Sequence, residues 1–306
     1  MPSMKPQPRP RFLSFASGLP TSPASSSPPR LPMLTLPVTW RNNAVAALGE
    51  FVGTFLFLFF AFAGTQVANA AAPVPDGTPN LVNLVFIALA FGASLTANVW
   101  AFYRVTGGLF NPSVTLALLL VGGLPAVRSV VVVAAQIVGG IAAAGVTSAL
   151  FPGPLAVETT LGGGASVVQG LFIEVFLTAE LVFVIIMLAA EKHKSTFLAP
   201  VAIGISFFLA ELVGVYFTGG SLNPARSLGP AVVNGSFPSY FWIYWVGPLL
   251  GSLLASAFYS LLKYLRWREC NPGQDYNELE KMESEKMVDH AAGISSGHGQ
   301  GILDGP

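Results

Sequence analysis

The sequence contains one short pattern twice, GGLFNPS at residues 107–113 and GGSLNPA at residues 219–225. Each copy lies inside a long apolar region. Proline suits the first turn of a helix, where no backbone N–H is needed, and the asparagine before it suits the N-cap. The glycines allow a sharp bend on entry. The pattern therefore predicts two half-helices, over residues 114–120 and 226–233, headed by Asn111 and Asn223.

Composition places the chain among multi-spanning membrane proteins. Of its 306 residues, 53% are hydrophobic and 10% are charged, whereas soluble domains have about 25% charged residues. Mean hydropathy is +0.64. Apolar segments near the ~20 residues that cross a bilayer lie at residues 44–65, 81–102, 127–150, 167–190, 197–217 and 240–265.

The predicted fold is an all-α membrane protein with six transmembrane helices and two re-entrant half-helices. Each half, residues 44–150 and 167–265, has three spans with a half-helix between the second and third. Because three is odd, the halves form an inverted repeat, which places a site at the midplane where broken helices meet. Residues 1–43 are predicted to be a disordered tail, and residues 266–306 a second tail.

With six spans, the Lys and Arg residues of the tails and connectors fall mainly on one side of the membrane. This distribution predicts that both termini are cytoplasmic. The amino-terminal tail is basic and free of acidic residues, which also fits a mitochondrial transit peptide loosely.

Two helix N-termini that meet at one point favour a channel. Each carries about half a positive charge and adds an Asn amide donor, so the pair repels cations and suits a polar neutral solute. A secondary transporter stays an alternative, because it too uses broken helices and buried carboxylates. A non-conducting structural protein is a third class. No nucleophile–base arrangement appears, so an enzyme is disfavoured.

Other site types have little support. Zero net charge gives no reason to expect nucleic-acid binding. The single cysteine, Cys270, excludes an internal disulfide, and three scattered histidines give no metal pattern. We expect no cofactor and no metal.

The motifs resemble those of the aquaporin, or major intrinsic protein, family over about residues 44–265. The matching segments are Asn111-Pro112-Ser113, Asn223-Pro224-Ala225 with Arg226-Ser227, Gly49-Glu50-Phe51-Val52-Gly53-Thr54 and Trp245-Val246-Gly247-Pro248. The proline-rich amino-terminal tail resembles fungal sequences, and the features are closest to a water-type member. The family implies a homotetramer with one pore in each protomer. Ser113 stands where most members have Ala, from which we expect a modest effect on solute choice.

The resemblance also implies a four-residue selectivity filter at the outer mouth. Counting from the two boxes (111 − 91 = 20 and 223 − 211 = 12) assigns the filter to Phe91, Glu211, Gly220 and Arg226. Arg226 would oppose the passage of hydronium. Glu211 fits neither the usual His of water channels nor the small residue of glycerol channels. It either shapes the filter or has a structural role behind it. Its carboxyl is either paired with Arg226 or another donor, or protonated because of its burial.

Glu50 and Glu174 occupy matching places in the first and fourth spans. We expect each carboxylate to accept hydrogen bonds from the bent loops; the alternative is a proton relay. The pairs Gly49/Gly53 and Gly247/Gly251 are predicted to allow close helix contacts.

The expected solute is water. Hydrogen peroxide resembles water in polarity, so we expect it to pass as well. Ser227, where glycerol channels usually have Asp, and Tyr244-Trp245 favour water. Gly220 suggests a wider mouth, so a glycerol channel stays an alternative. The expected partners are water and small neutral solutes, the lipid bilayer and further copies of the chain. The plasma membrane is favoured over an intracellular one, and gating by residues 191–196 and glycosylation at Asn234 stay open.

Overall fold

The structure of the chain, a computed structural model, describes residues 37–71, 80–271, 273–274, 282–283 and 286–288. Residues 1–36 of the predicted disordered tail, and most of the predicted carboxy-terminal tail, lie outside these residues. The prediction of disorder was wrong for residues 38–43, which form the start of the first long helix. Contacts divide the chain between residues 41 and 42. The packing described below is that of the part that begins at residue 42.

The described part of the chain is helical. In chain order, its helices are α1 (Val38–Ala71), α2 (Leu81–Phe102), α3 (Pro112–Leu120), α4 (Ala126–Leu150), α5 (Val167–Ile185), a π-helical turn (Ile186–Ala190), a 3-10 turn (Lys194–Leu198), α6 (Ala199–Thr218), α7 (Pro224–Asn234), α8 (Ile243–Tyr264) and a 3-10 turn (Trp267–Glu269). Within the described ranges, six helical segments are long and apolar enough to cross a membrane. The predicted all-α architecture is confirmed, with α3 and α7 as the two half-helices.

Helix α1 extends beyond its predicted end at residue 65. Two polar side chains in its last turns explain the extension. Gln66 Nε2 donates to the carbonyl of Pro154 at 3.0 Å, and Asn69 Nδ2 donates to the carbonyl of Ala156 at 2.7 Å. The end of the helix is thus fastened to the connector between the two halves.

The half-helices begin at the prolines, two residues earlier than predicted. Asn111 and Asn223 both have extended backbone, as N-cap residues do. Helix α7 ends at Asn234, and the next residue, Gly235, has φ +64°, the left-handed conformation in which glycine often terminates helices.

Glycines set the distance between several packed elements. A Cβ at Gly251 would lie 2.5 Å from the Val175 carbonyl oxygen, so α8 approaches the backbone of α5 there, as predicted. The predicted close contact of Gly49 and Gly53 with another helix was wrong. Both face side chains of the loop before α3, those of Thr106 and Phe110, so the small residues of α1 make room for that loop.

Candidate functional site

The two asparagines bring the half-helices together at their N-termini. Asn111 Nδ2 donates to the carbonyl of Leu222 at 2.7 Å, and Asn223 Nδ2 donates to the carbonyl of Phe110 at 2.8 Å. Each Oδ1 accepts from the backbone N–H two residues later, at 2.8 Å and 2.9 Å. Each asparagine therefore caps its own helix and holds the loop of the other. An amide nitrogen has two N–H groups, so each keeps a second donor beyond this contact.

The other box residues lie in the first turns of the half-helices. Pro112 and Pro224 occupy the first helical position, and both are buried, as are Ser113 and Ala225. The Ser113 carbonyl accepts a hydrogen bond from Ser252 Oγ of α8 at 2.8 Å. The half-helix α3 therefore forms with Ser113 as the third residue of the first box.

The residue before each asparagine has strained backbone. Phe110 has φ +52° and Leu222 has φ +51°, in the left-handed region that large side chains rarely occupy. Such positions cost about 1–3 kcal/mol and persist only where their surroundings fix them. Here the carbonyl of each residue accepts from the asparagine of the opposite half, so the strain and the contact between the halves occur together.

Two buried carboxylates hold the loops that precede α3 and α7. Glu50 accepts from the N–H groups of Leu109 and Phe110, at 3.1 Å and 2.8 Å. In the second half, Glu174 accepts from Ser221 and Leu222, at 2.9 Å and 2.8 Å. Both carboxylates are therefore engaged with backbone at the point where the chain turns.

Each carboxylate has one further side-chain partner that the sequence did not single out. Gln136 Nε2 of α4 donates to Glu50 at 2.8 Å, and Thr218 Oγ1 donates to Glu174 at 2.7 Å. Gln136 is fully buried. A lone amide within an apolar span was the available signal, because a buried polar group needs a partner.

A narrow cavity adjoins the two asparagines. Its volume, counted as space for the centre of a water-sized sphere, is about 10 Å³, room for about one water molecule. Besides Asn111 and Asn223, its walls include Phe57, Leu95, Val99, Leu181, Ile185 and Phe207. Polar donors thus lie on one part of an otherwise apolar wall.

Arg226 lies buried at the start of α7, with 1% of its surface exposed. Its Nε, Nη1 and Nη2 donate to the carbonyls of Gly220, Val157 and Gly219, at 3.0, 2.7 and 3.2 Å. The guanidinium carbon also lies 4.9 Å from the centre of the Phe91 ring, within cation–π range. Backbone oxygens and an aromatic ring therefore position this cation.

Phe91 is fully buried in a group of rings contributed by several helices. Its ring centroid lies 6.4 Å from that of Phe57 and 5.9 Å from that of Phe207. One edge of this aromatic group adjoins Arg226 and the other adjoins the cavity at the asparagines. The ring of Phe91 thus lies between Arg226 and the aromatic residues that line the cavity at the two asparagines.

Glu211 is fully buried, and neither carboxyl oxygen has a hydrogen-bond partner among the described residues. The ion pair considered for Glu211 and Arg226 does not form, because the guanidinium donates to carbonyl oxygens instead. The Glu211 carboxyl lies against Gly220, where an added Cβ would be 2.6 Å from the carboxyl carbon. The space that a glycine was expected to leave open is thus filled by Glu211.

Glu180 behaves differently from Glu211. Its Oε2 accepts a hydrogen bond from Ser206 Oγ of α6 at 2.6 Å. This hydrogen bond is a polar contact between α5 and α6.

A chain of hydroxyl groups lies behind the second half-helix. Thr159 Oγ1 donates to Ser227 Oγ at 2.9 Å, and the hydroxyls of Ser227 and Ser221 are 2.6 Å apart. All three side chains are buried. They tie the connector that supplies the Val157 carbonyl to the helix that bears Arg226. No sequence pattern indicates Thr159, since the connector has no periodic pattern.

The connector after α5 is attached to the end of α8. Glu191 accepts hydrogen bonds from Tyr259 and from Arg268. Burial alone would raise the pKa of Glu191, but these hydrogen bonds and the positive charges of Arg268 and Lys263 together hold it below its ordinary value. His193 Nδ1 accepts from the N–H of Ser195 at 3.1 Å and so caps the following 3-10 turn. In the described ranges no cluster of His, Cys, Asp or Glu could hold a metal ion.

Comparison with known proteins gives a consistent result. The family model described as "Major intrinsic protein" matches residues 38–259. "Aquaporin-7" of Botryotinia fuckeliana is 62% identical over 240 residues, which cover 77% of this chain and 53% of that protein. "Probable aquaporin-3" of Gibberella zeae is 53% identical over 237 residues, which cover 76% of this chain and 83% of that protein.

A solved structure, the aquaglyceroporin from Plasmodium falciparum, superimposes with a TM-score of 0.63 at 21% identity. The match covers 71% of this chain and 95% of that one, and it supports the fold alone. The chain spans about half the length of three of the curated relatives that it matches.

Proposed function

The chain belongs to the major intrinsic protein family and is a multi-pass membrane channel, and from this premise we propose that it conducts water and hydrogen peroxide passively and excludes ions. The observation that carries the proposal is the reciprocal contact of Asn111 and Asn223 beside a cavity for about one water molecule. The second N–H of each amide is a donor for a solute oxygen. Apolar walls elsewhere let the solute pass without strong binding.

We assign the selectivity filter to Phe91, Glu211, Gly220 and Arg226. Arg226 supports this assignment best, since it is a buried cation held by three carbonyl oxygens. A fixed positive charge at a constriction raises the energy of any cation that enters. The contact between Arg226 and Phe91 gives the filter one rigid wall.

The choice of water over glycerol rests on two contacts. Ser227 belongs to the hydroxyl chain behind α7, and the Glu211 carboxyl fills the space beside Gly220. The second contact removes the reason for expecting a wide mouth.

A proton-coupled transporter is less well supported. Glu50 and Glu174 each accept two backbone N–H groups, so they hold the loops in place and would have to give up these bonds to carry a proton.

The remaining assignments concern the bounds of the channel, the side of the tails, the assembly and the membrane. Residues 44–265 form the channel, and residues 1–43 and 266–306 form tails on the cytoplasmic side. The protein assembles as a homotetramer with a pore in each protomer, in the plasma membrane. These assignments rest on the charge distribution and on the family resemblance.

The test is stopped-flow light scattering of vesicles that contain the purified full chain. Against sucrose, we expect shrinkage much faster than that of protein-free vesicles. Against glycerol, we expect the same shrinkage with slow re-swelling. Rapid re-swelling would identify a glycerol channel, and a rate equal to that of empty vesicles would contradict a channel for either solute.

The same vesicles test the filter. Glu211→His should change the ratio of water to glycerol permeability, because it changes the size and polarity of one wall. Unchanged rates for both solutes would remove Glu211 from the filter.

A further inference from the structure

A large cavity opens where the connector after α5 meets the segment after α8. Its volume, counted as space for the centre of a water-sized sphere, is about 990 Å³. The π-helical turn, the connector up to Lys194 and the residues from Trp267 onward line it. Among the described residues, it shares no lining residue with the cavity at the two asparagines. A role for this cavity is therefore separate from the proposed passage.

The polar wall of the large cavity contains more cations than carboxylates. Lys192, Lys194 and Arg268 line it, together with Glu191 and Glu269. Glu191 accepts a hydrogen bond from Arg268, so its negative charge is already balanced. A guanidinium has five N–H donors, and this bond uses one of them. The wall can therefore donate several hydrogen bonds to an anion.

A smaller cavity of about 300 Å³ adjoins the first and extends the basic wall. It shares Arg268 and adds Lys263 and Arg266. Glu269 Oε1 lies 3.6 Å from Nη1 of Arg266, so the second carboxylate is also balanced. Among the described residues, the two cavities are bordered by five Lys or Arg residues and two carboxylates. Clusters of about 4–8 Lys or Arg residues next to a membrane helix are typical of sites for acidic lipids.

Two of these lysines are positioned by aromatic rings. Lys192 Nζ lies 5.6 Å from the centre of the Tyr103 ring and donates to the carbonyl of Ala189 at 2.6 Å. Lys263 Nζ lies 5.4 Å from the centre of the Tyr259 ring. Both distances are within cation–π range. Because these contacts already order the side chains, an anion that binds here loses less free energy in ordering them.

The other wall of the large cavity is apolar. Met187 and Leu188 come from the π-helical turn, which ends a segment apolar enough to cross a bilayer, residues 167–190. The half-buried ring of Trp267 also lines the cavity, and Trp is enriched where a membrane meets water. A soluble anion gains nothing from these side chains, whereas a lipid can lay its acyl chains against them.

We propose that this cavity binds a lipid whose head group carries more than one phosphate. The phosphate oxygens accept from Lys192, Lys194 and the remaining N–H groups of Arg268, since charged donors and phosphates form strong hydrogen bonds. The cations lie on two separate segments around a space much larger than one phosphate, which favours phosphates at two positions. The proposed topology places this end of the helices at the cytoplasmic leaflet, where acidic lipids are concentrated.

The experiment is calorimetric titration of the purified full chain in a neutral detergent. The probes are dioctanoyl phosphatidylinositol bisphosphate, dioctanoyl phosphatidylcholine and inositol trisphosphate, which has phosphates but no acyl chains. We expect the first to bind, the second not to bind, and the third to bind more weakly than the first. No binding of the first probe would overturn the inference. Equal affinity for the first and third would assign the cavity to soluble phosphates and would overturn it as well.

The double variant Lys192→Gln with Lys194→Gln tests the cations, and it leaves Arg268 in place to hold Glu191. One cation beside acidic head groups contributes about fivefold to affinity, so the double variant should bind the bisphosphate lipid about 25-fold more weakly. Lys192→Arg with Lys194→Arg keeps both charges and should bind like the unchanged protein. An unchanged affinity of the glutamine variant would contradict the assignment of the cavity.

Arg104→Gln with Arg128→Gln is the matched control. Neither arginine lines the two cavities, and both lie on the same proposed side of the membrane, so the control removes the same charge. Its affinity should fall far less than that of the lysine variant, and equal losses would indicate a diffuse surface effect and overturn the inference. Water flux in vesicles is a separate measurement. Lipid binding can therefore fail while the channel function stands, and the reverse.

Discussion

Glu174→Gln tests whether the Glu174 carboxyl holds the loop that precedes the second half-helix, α7. Glu174 Oε1 accepts from Thr218 and from the N–H of Ser221, and Oε2 accepts from the N–H of Leu222. An amide has one oxygen, so the substitution places an N–H₂ group against at least one N–H donor. The loop then loses a hydrogen bond and gains an unfavourable contact between two donors.

The size of the effect follows from two contributions. A buried donor that loses its acceptor costs about 1–3 kcal/mol. Leu222, at φ +51°, also loses part of what holds it in a strained conformation that costs about 1–3 kcal/mol. We expect a loss of roughly 3 kcal/mol, which corresponds to about a hundredfold rise in the open form of the loop.

The assay is reversible unfolding of the purified protein in mixed detergent micelles, combined with water permeability in vesicles. Both stability and permeability should fall. Glu50→Gln should give a similar loss in the first half, because Glu50 holds Leu109 and Phe110 in the same way. Glu180→Gln is the control and should cost under about 1 kcal/mol, since a carbonyl oxygen can still accept from Ser206. Equal stability of the Glu174, Glu180 and unchanged proteins would refute this reasoning.

Three other predictions use simpler assays. Arg226→Val removes the buried cation and should raise proton leakage, read with a pH dye inside the vesicles; an unchanged leak would exclude Arg226 as the barrier. Cys270 is exposed beyond α8, so low mercury concentrations should not block water flow, and block that survives Cys270→Ser would count against this placement. Glu191 stabilises the fold when it is charged. Because its pKa is lowered, it stays charged at pH values below the ordinary glutamate pKa of about 4.3. Glu191→Gln should therefore lower the melting temperature equally at neutral and mildly acidic pH, with the difference vanishing only in stronger acid; a difference that vanished near pH 6 would contradict this.

Sequence patterns were sufficient for the architecture. Length and hydropathy determined the six membrane segments, and the repeated Asn-Pro pairs determined α3 and α7. These features are local, because N-caps and proline positions depend on neighbouring residues. The inverted repeat then followed from an odd number of spans in each half.

The details of the site depended on contacts between distant parts of the chain. The left-handed backbone of Phe110 and Leu222 has no local signal, because neither residue is a glycine. The partner of Gly53 is a ring in a loop rather than a helix. Whether Glu211 pairs with Arg226 depends on where the guanidinium finds carbonyl oxygens, and one of these belongs to Val157 in the irregular connector. Such long-range choices are made by packing, which spacing along the sequence does not describe.

The most direct measurement is water flux and internal pH, recorded together in vesicles that contain the full chain under an osmotic step, with and without a proton gradient. If the two asparagine-capped half-helices border a fixed passage for neutral molecules, shrinkage will be fast, the same in both conditions and accompanied by no proton movement. Shrinkage as slow as that of empty vesicles, or a rate that follows the proton gradient, would contradict that passage.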